Sequence, residues 1–397
     1  MTIGNQSSRA LLTIGMALAL WSAAPAHAVT LPTEPTATVG EHPAPRFGSG
    51  FFLVPNFTSD FGFGLGLVGS LFRFANGIEP YQFDIDAGLY ATTGGMRMAG
   101  FLTDVPQIFG SKWRLNSMLA YNRNLGATYY GIGSTAHATA GHGGKYNYYD
   151  LEDPTMRVYL RRPIWSSLIG YFGMRLSNDK PTAKPDSLVA ATQPYGIEGG
   201  RYNQLNVGLL WDSRNNEHNP RSGTLAELSI RSALHLLGSA NQTYSLFLSW
   251  AHYHPLRQGM VLATRVAYDR QWGDVPFTHM DDFGGLYPAS GLGGSNTLRG
   301  VLSNQFMGKI KVLANAELRV HLFATSIGVR PLEIGAVAFS DVGRAWANQD
   351  PDGPFWALQK SIGAGLRLVW DRVFVLRADV GVIADGYRIY VDYWQAF

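Results

Sequence analysis

In "GGSNTLRGV", residues 293–301, a single arginine, Arg299, sits in a run of small and polar residues. Gly, Ser and Asn favour turns and offer little packing, so a cation there either idles in solvent or reaches a distant acidic partner. The second reading asks for a carboxylate that accepts both arms of a planar guanidinium, an interaction lysine cannot imitate. Other chemistries have less support. Ser295 lies in a glycine-rich run, but "GGSNT" is not G-x-S-x-G and the chain has no such elbow, so a serine hydrolase lacks its main signature. His252 and His254 share one strand face at period two, a spacing that suits a metal or, more simply, two rim residues. His137 and His142, in "HATAGHGG", read as solvent contacts. "GHGGKY" lacks the Ser or Thr of a phosphate loop, and no helix follows the alternating Gly62, Gly64 and Gly66. No catalytic set is expected, and no metal or cofactor.

The elements that must position Arg299 are indicated by composition. Only 15% of the 397 residues are Asp, Glu, Lys or Arg, well below the roughly 25% of an ordinary soluble protein. There are 46 glycines, 13% aromatics and no cysteine, with a mean hydropathy of −0.04. Alternating strands suit that mixture better than apolar helices. Residues 1–28 read as a secretory signal, with Arg9 its one charge, an apolar stretch from Ala10 to Trp21 and small residues at Ala26 and Ala28. Its removal would lower the net charge of +3 by one, a balance that gives no case for a nucleic-acid partner. Residues 29–46 carry four prolines and read as a flexible periplasmic leader. Nothing beyond the signal offers about 18 consecutive apolar residues, which excludes a spanning helix. A secreted soluble β protein is the plain alternative, and the missing cysteines count mildly against an extracellular disulfide scaffold.

From Phe47 onward the chain breaks into segments that alternate apolar with small or polar residues, the mark of half-buried strands. In "SIGAGLRLVW", Ile362, Ala364, Leu366, Leu368 and Trp370 share one face, and Ser361, Gly363, Gly365 and Arg367 the other. Sixteen such segments are expected, at 47–58, 61–75, 81–93, 95–106, 111–122, 152–162, 167–179, 203–213, 224–235, 242–254, 259–271, 307–322, 326–346, 359–371, 373–384 and 387–397. The even count suits a transmembrane antiparallel β-barrel. The long gaps, 123–151, 180–202, 272–306 and 347–358, all follow odd-numbered strands, so with both termini in the periplasm every long loop lies outside. A soluble sandwich has no reason to sort its loops by parity. Closure follows physically, since backbone groups in hydrocarbon find no water and a sheet there cannot leave an edge.

Five stretches together resemble the BamA-like outer-membrane assembly and translocation superfamily, whose barrel is also called the bacterial surface antigen domain. They are "FLVPNFTSDFGFGLG" near the first strand and "LLWDSRNNEHNPRSG", with Asp212, Arg214, Pro220 and Gly223 as in the family's hairpin between strands eight and nine. "GGSNTLRGV" is similar to the Val-Arg-Gly-aromatic tip of the sixth extracellular loop. "FSDVGRAW" matches F-x-D-x-G-x-x-W through Phe339, Asp341, Gly343 and Trp346, and the ending "YRIYVDYWQAF" is similar to an assembly signal carried by Tyr393 and Phe397. The likeness covers about residues 47–397. Two features depart from the family: the leader is too short for the POTRA modules of many members, which implies a barrel-only chain, and Val301 replaces the aromatic after Arg299 and Gly300.

The resemblance implies that the loop between strands eleven and twelve folds into the lumen and that Arg299 pairs with Asp341, with Glu317 a second candidate. It also implies an integral protein of the Gram-negative outer membrane, not an enzyme, that assembles, inserts or translocates polypeptide or lipid. A weak seam between the first and last strands would serve that role. Its partners would be outer-membrane lipid, the machinery that inserts it, and client polypeptide or lipid. A passive pore for small solutes is the alternative, and an outer-membrane lipid hydrolase a lesser one.

Overall fold

The computed structural model describes residues 46–75, 78–133, 145–286, 289–327, 330–348, 356–370 and 374–397. The expected signal peptide, nearly all of the leader, and His137 and His142 lie outside these residues. Sixteen strands close into one antiparallel barrel. They are β1 (Arg46–Thr58), β2 (Gly62–Ala75), β3 (Ile78–Thr92), β4 (Met96–Val105), β5 (Arg114–Thr128), β6 (Tyr148–Pro163), β7 (Leu168–Ala183) and β8 (Gly200–Asp212), followed by β9 (Gly223–Ala233), β10 (Thr243–Arg257), β11 (Met260–Gly273), β12 (Ile310–Ile327), β13 (Arg330–Trp346), β14 (Gln359–Trp370), β15 (Phe374–Ile383) and β16 (Gly386–Tyr393). Chain neighbours are wall neighbours throughout, and β16 returns to β1.

Alternation sets the two faces. On β14, Ile362 and Leu366 are 66% and 58% exposed on the outside, whereas Ser361 and Arg367 are 2% and 3% exposed on the inside. The lumen is packed with charge. Arg114 meets Asp104 at 2.5 Å, Arg231 pairs with Asp269, and Arg175 reaches Asp282 at 3.2 Å. The outer face is apolar and paired ions occupy much of the interior, the reverse of a soluble core and what a wall between hydrocarbon and a polar lumen demands.

Each of the sixteen expected segments corresponds to a strand, with three differences of note. β12 runs on to Ile327, so the turn into β13 follows it and does not fall at 323–325. β5 and β6 extend to Thr128 and Tyr148, because "NRNLGAT" lacks apolar alternation yet still pairs with β6 through its backbone. The last strand ends at Tyr393 instead of running to Phe397. Trp394 takes a left-handed φ of 67° and turns the chain out of the ladder.

The seam between β1 and β16 differs from the rest of the wall. Among the described residues, Phe57–Val391 and Thr58–Tyr390 alone are in register across it, whereas every other neighbouring pair of strands matches at least eight residues, as β15 and β16 do. Continuing the ladder would bring Pro55 opposite Tyr393, and proline has no N–H to donate. Tyr393 instead donates its hydroxyl to the Pro55 carbonyl at 2.5 Å.

Candidate functional site

The segment between β11 and β12, residues 274–309, folds inward and builds a small core of its own. Leu292, Leu298, Val301 and Phe306 are buried together with Phe247 of β10, Ala267 of β11, Leu313 of β12 and Ala345 of β13. The tip is knotted locally. Thr297 Oγ1 accepts from the Gly293 amide at 3.0 Å and donates to the Gly293 carbonyl at 2.7 Å, while the Gly294 amide donates to the Val301 carbonyl at 3.0 Å. The expectation of a pliable loop without packing is therefore corrected: four apolar side chains among the glycines fix its shape, and Val301 is one of them.

From this base Arg299 enters a sealed ion network. Its Nε and Nη2 donate to the two oxygens of Asp341, both at 2.8 Å, and its backbone N–H donates to Asp341 Oδ2 at 3.1 Å. Nη1 donates to Glu317 at 2.6 Å and reaches Asp379 at 3.5 Å. The guanidinium lies 3.5 Å above the Phe339 ring, a cation–π contact strengthened by burial. Arg319 binds Glu317 at 2.7 Å, Arg367 binds Asp379 at 2.5 Å, and Arg377 bridges toward Asp392 of β16 at 3.1 Å. Four guanidiniums thus meet four carboxylates drawn from β12, β13, β15 and β16. The side chains of Arg299, Glu317, Asp341 and Asp379 have no solvent exposure. A hydrated lumen would have screened these pairs; burial makes them strong only while every partner is present.

Close backbone approach explains Gly300, whose φ is +96° and whose Cβ, if it had one, would stand 3.0 Å from the Gly381 carbonyl carbon. The same tip is held by the last strand: the Gly300 amide donates to Tyr390 Oη at 3.2 Å, Tyr390 donates to the Val301 carbonyl at 3.3 Å, and Ser295 donates to Asp392 at 2.9 Å. Across the seam, the Ser303 amide donates to Asp60 in the β1–β2 turn at 3.2 Å. Burial, opposed by the Ser303 hydrogen bond and by Arg388, pushes the Asp60 carboxyl up to about 6.

The loop's first limb has a second anchor that the sequence reading missed. His279 places Nε2 2.8 Å from Asp179 of β7 and Nδ1 3.1 Å from Asp282, and it stacks on Tyr202 with ring centroids 3.7 Å apart. Burial works against the imidazolium, but the Asp179 charge and hydrogen bond outweigh it and raise the pKa to about 9. For Asp282, burial pushes the carboxyl upward, yet Arg175 and His279 hold it well below the usual carboxylate range. Asp379, Arg367, Arg377, Asp392 and Tyr390 were also missed as members of the site. Their signal was present in part: Arg367, Arg377 and Asp379 sit on the polar parity of their strands.

Of the remaining motif residues, Gly343 faces Leu292 of the loop, where a Cβ would stand 3.4 Å from its Cδ1, and Trp346 is buried at the end of β13. In the turn after β8, Arg214 forks onto Asp212 at 2.9 and 2.8 Å, Pro220 is buried, and Gly223 needs its φ of +103° to pass the Ser213 carbonyl. Tyr393 closes β16. Phe397 is not on that strand; its ring lies beneath the Arg265 guanidinium at 4.8 Å and beside Tyr253 at 6.5 Å, inside the wall. His252 and His254 stack on the outer face of β10. Among the described residues no cluster of three or more His, Cys, Asp or Glu could hold a metal ion.

With this geometry in hand, comparison with known proteins is informative. A model of the Omp85 superfamily domain matches residues 87–386. Among solved structures, the chain is similar to BamA from Haemophilus ducreyi lacking POTRA domains 1–3, at 14% identity and TM-score 0.63 over 88% of this chain and 70% of that one. It is also similar to CdiB from Escherichia coli, at 14% identity and TM-score 0.54 over 87% of this chain and 62% of that one, and to CdiB from Acinetobacter baumannii, at 13% identity and TM-score 0.50 over 88% and 59%. At such identity these likenesses establish the fold. The chain matches no curated protein.

Proposed function

Since the chain belongs to the Omp85 superfamily of outer-membrane β-barrels, we propose that it assembles, inserts or translocates polypeptide or lipid at that membrane through a lateral opening between β1 and β16. The observation that carries this reading is the two-residue register of the seam. An unpaired strand edge in hydrocarbon is costly and is a ready template for a strand of another chain, so a wall built with one weak closure supports a gate. The inward loop supports the same reading. It touches β16 through Tyr390 and Asp392 and the β1–β2 turn through Asp60, so it clasps both sides of the seam and sets how readily they part. In this reading Arg299, Gly300, Asp341 and Glu317 position the clasp, Phe339, Gly343 and Trp346 form the wall it rests on, and the turn of Asp212, Arg214, Pro220 and Gly223 fixes the periplasmic side. Tyr393 and Phe397 serve the barrel's own insertion, and a cleaved signal peptide delivers the chain.

The test uses the registered pair. The natural chain has no cysteine, so Phe57→Cys with Val391→Cys can form one defined disulfide across the seam. Oxidation is expected to stop the folding of an added unfolded barrel client in proteoliposomes, and reduction to restore it. Full activity in the locked protein would sink the gating role.

A further inference from the structure

On the side of the barrel away from the seam, the outer wall carries a hollow of about 710 Å³. Strand register explains it. Trp211, Ala226, Trp250, Val266, Ala314 and Val342 are successive cross-strand partners from β8 to β13 and form one outward row. Small residues alternate with large ones, so Ala226 is a notch between two indoles. The adjacent outward row, Leu209, Leu228, Leu248, Tyr268 and Val312, forms one bank. The row starts beside the periplasmic turn after β8 and climbs toward the outer end of β13. It crosses five inter-strand gaps, ~24 Å at the usual strand spacing, and on strands tilted by ~40° it climbs ~15 Å, the depth of one leaflet of the ~30 Å hydrocarbon layer.

The opposite bank is unusual for a lipid-facing wall. On the periplasmic side of the row stand Thr224, His252, Thr264, Ala316 and Ser340, again successive partners and again outward. Hydroxyl and imidazole groups facing lipid near the rim call for a hydrogen-bonding partner alongside. Along β10, Trp250, His252 and His254 stack in a column toward the periplasmic rim, with centroids 5.4 and 6.2 Å apart, and Thr224 Oγ1 lies 2.9 Å from His252 Nδ1. The hollow itself is apolar, and the next outward row toward the periplasm is hydrogen-bonding.

The geometry points to a built site for a glycerophospholipid of the periplasmic leaflet, one acyl chain lying in the row over Ala226 and the ester and phosphate oxygens lying along Thr264, His252 and His254. An acyl chain is the occupant whose chemistry is already on this face. A headgroup with acceptor oxygens is what the polar bank and histidine column complement. A strand of another protein would bring backbone groups that the apolar row cannot satisfy.

Native mass spectrometry of the detergent-solubilised barrel with added phosphatidylglycerol tests this. One tightly retained lipid is expected. Ala226→Trp, which fills the notch and excludes about two methylenes, should lower retention on the order of tenfold. Leu119→Trp on the outer face of β5 should leave it unchanged. His252→Ala with His254→Ala should remove the preference for phosphatidylglycerol over diacylglycerol of the same chains while chain binding persists. Folding of each variant is checked by its heat-dependent gel shift, and Val266→Trp, in the same row, replaces Ala226→Trp if that variant does not fold. Equal retention by the row-filling variant and the wild type would overturn the proposal, as would equal loss in Leu119→Trp. Dimer masses that vanish on filling the row, without lipid adducts, would assign the hollow to a second copy instead.

Discussion

Arg299 satisfies three carboxylates at once, and its removal would leave Glu317, Asp341 and Asp379 buried with too little positive charge. Arg299→Ala is therefore expected to destabilise the barrel by about 3–5 kcal/mol, the range for breaking one side of a buried ion network, read as a fall in the denaturant midpoint in detergent. Arg299→Lys should recover only a small part, because an ammonium cannot fork onto Asp341 while also reaching Glu317. Gly300→Ala should cost upward of ~1 kcal/mol through its positive φ alone and should also push the tip away from Gly381, seen as increased proteolysis within 293–301. The cation itself was legible because charge in a run of Gly, Ser and Asn demands an explanation, and Asp341 and Glu317 lie on the polar parity of their strands. Asp379 was equally visible as a polar-face residue. What was hidden was their convergence, because barrel closure and strand stagger decide which walls the tip meets, and period-two alternation carries no information about either.

The inward loop reads as a jointed element with two fixed points, one at Arg299 and one at His279. The second is titratable. The His279 pKa is raised from 6.5 to about 9, so its stabilising charge is complete below about 6.5 and is lost as pH rises through about 9. Cleavage of residues 274–309 by a broad-specificity protease active at both pH values should accordingly increase between pH 7 and pH 10. In His279→Gln, which carries no charge to lose, the segment should already be sensitive at pH 7 and change little further. An unchanged cleavage pattern in both proteins would show that the limb is held without the imidazolium. Leu292, Leu298, Val301 and Phe306 escaped the sequence reading because they are isolated apolar residues without a period, and only contact with four different strands makes them a core. The last strand erred for a related reason. Alternation in "YRIYVDYWQAF" continues past Tyr393 on paper, but the left-handed Trp394 ends the ladder and sends Phe397 inward.

For the whole molecule, sixteen strands and the sorting of long loops to one side were readable because hydrocarbon outside and a polar lumen inside impose one alternation on every strand. The weakness of the seam was not, since Pro55 and the turn at Trp394 lie far apart in the chain and matter only once β1 and β16 meet. These two properties, a filled lumen and a weak closure, separate a gated assembly barrel from a passive pore. In planar bilayers the wild-type barrel should show little steady conductance, because the loop occupies the lumen and is held by ions with no solvent exposure. Arg299→Ala should raise the conductance or its fluctuations as the plug loosens. The oxidised Phe57→Cys, Val391→Cys protein should conduct like the wild type, since its lock acts on the wall and leaves the plug untouched. Steady conductance in the wild type, unaltered by loss of Arg299, would favour the pore. A closed lumen combined with client folding that fails only when the seam is locked would place the work of this barrel at its edge and not through its centre.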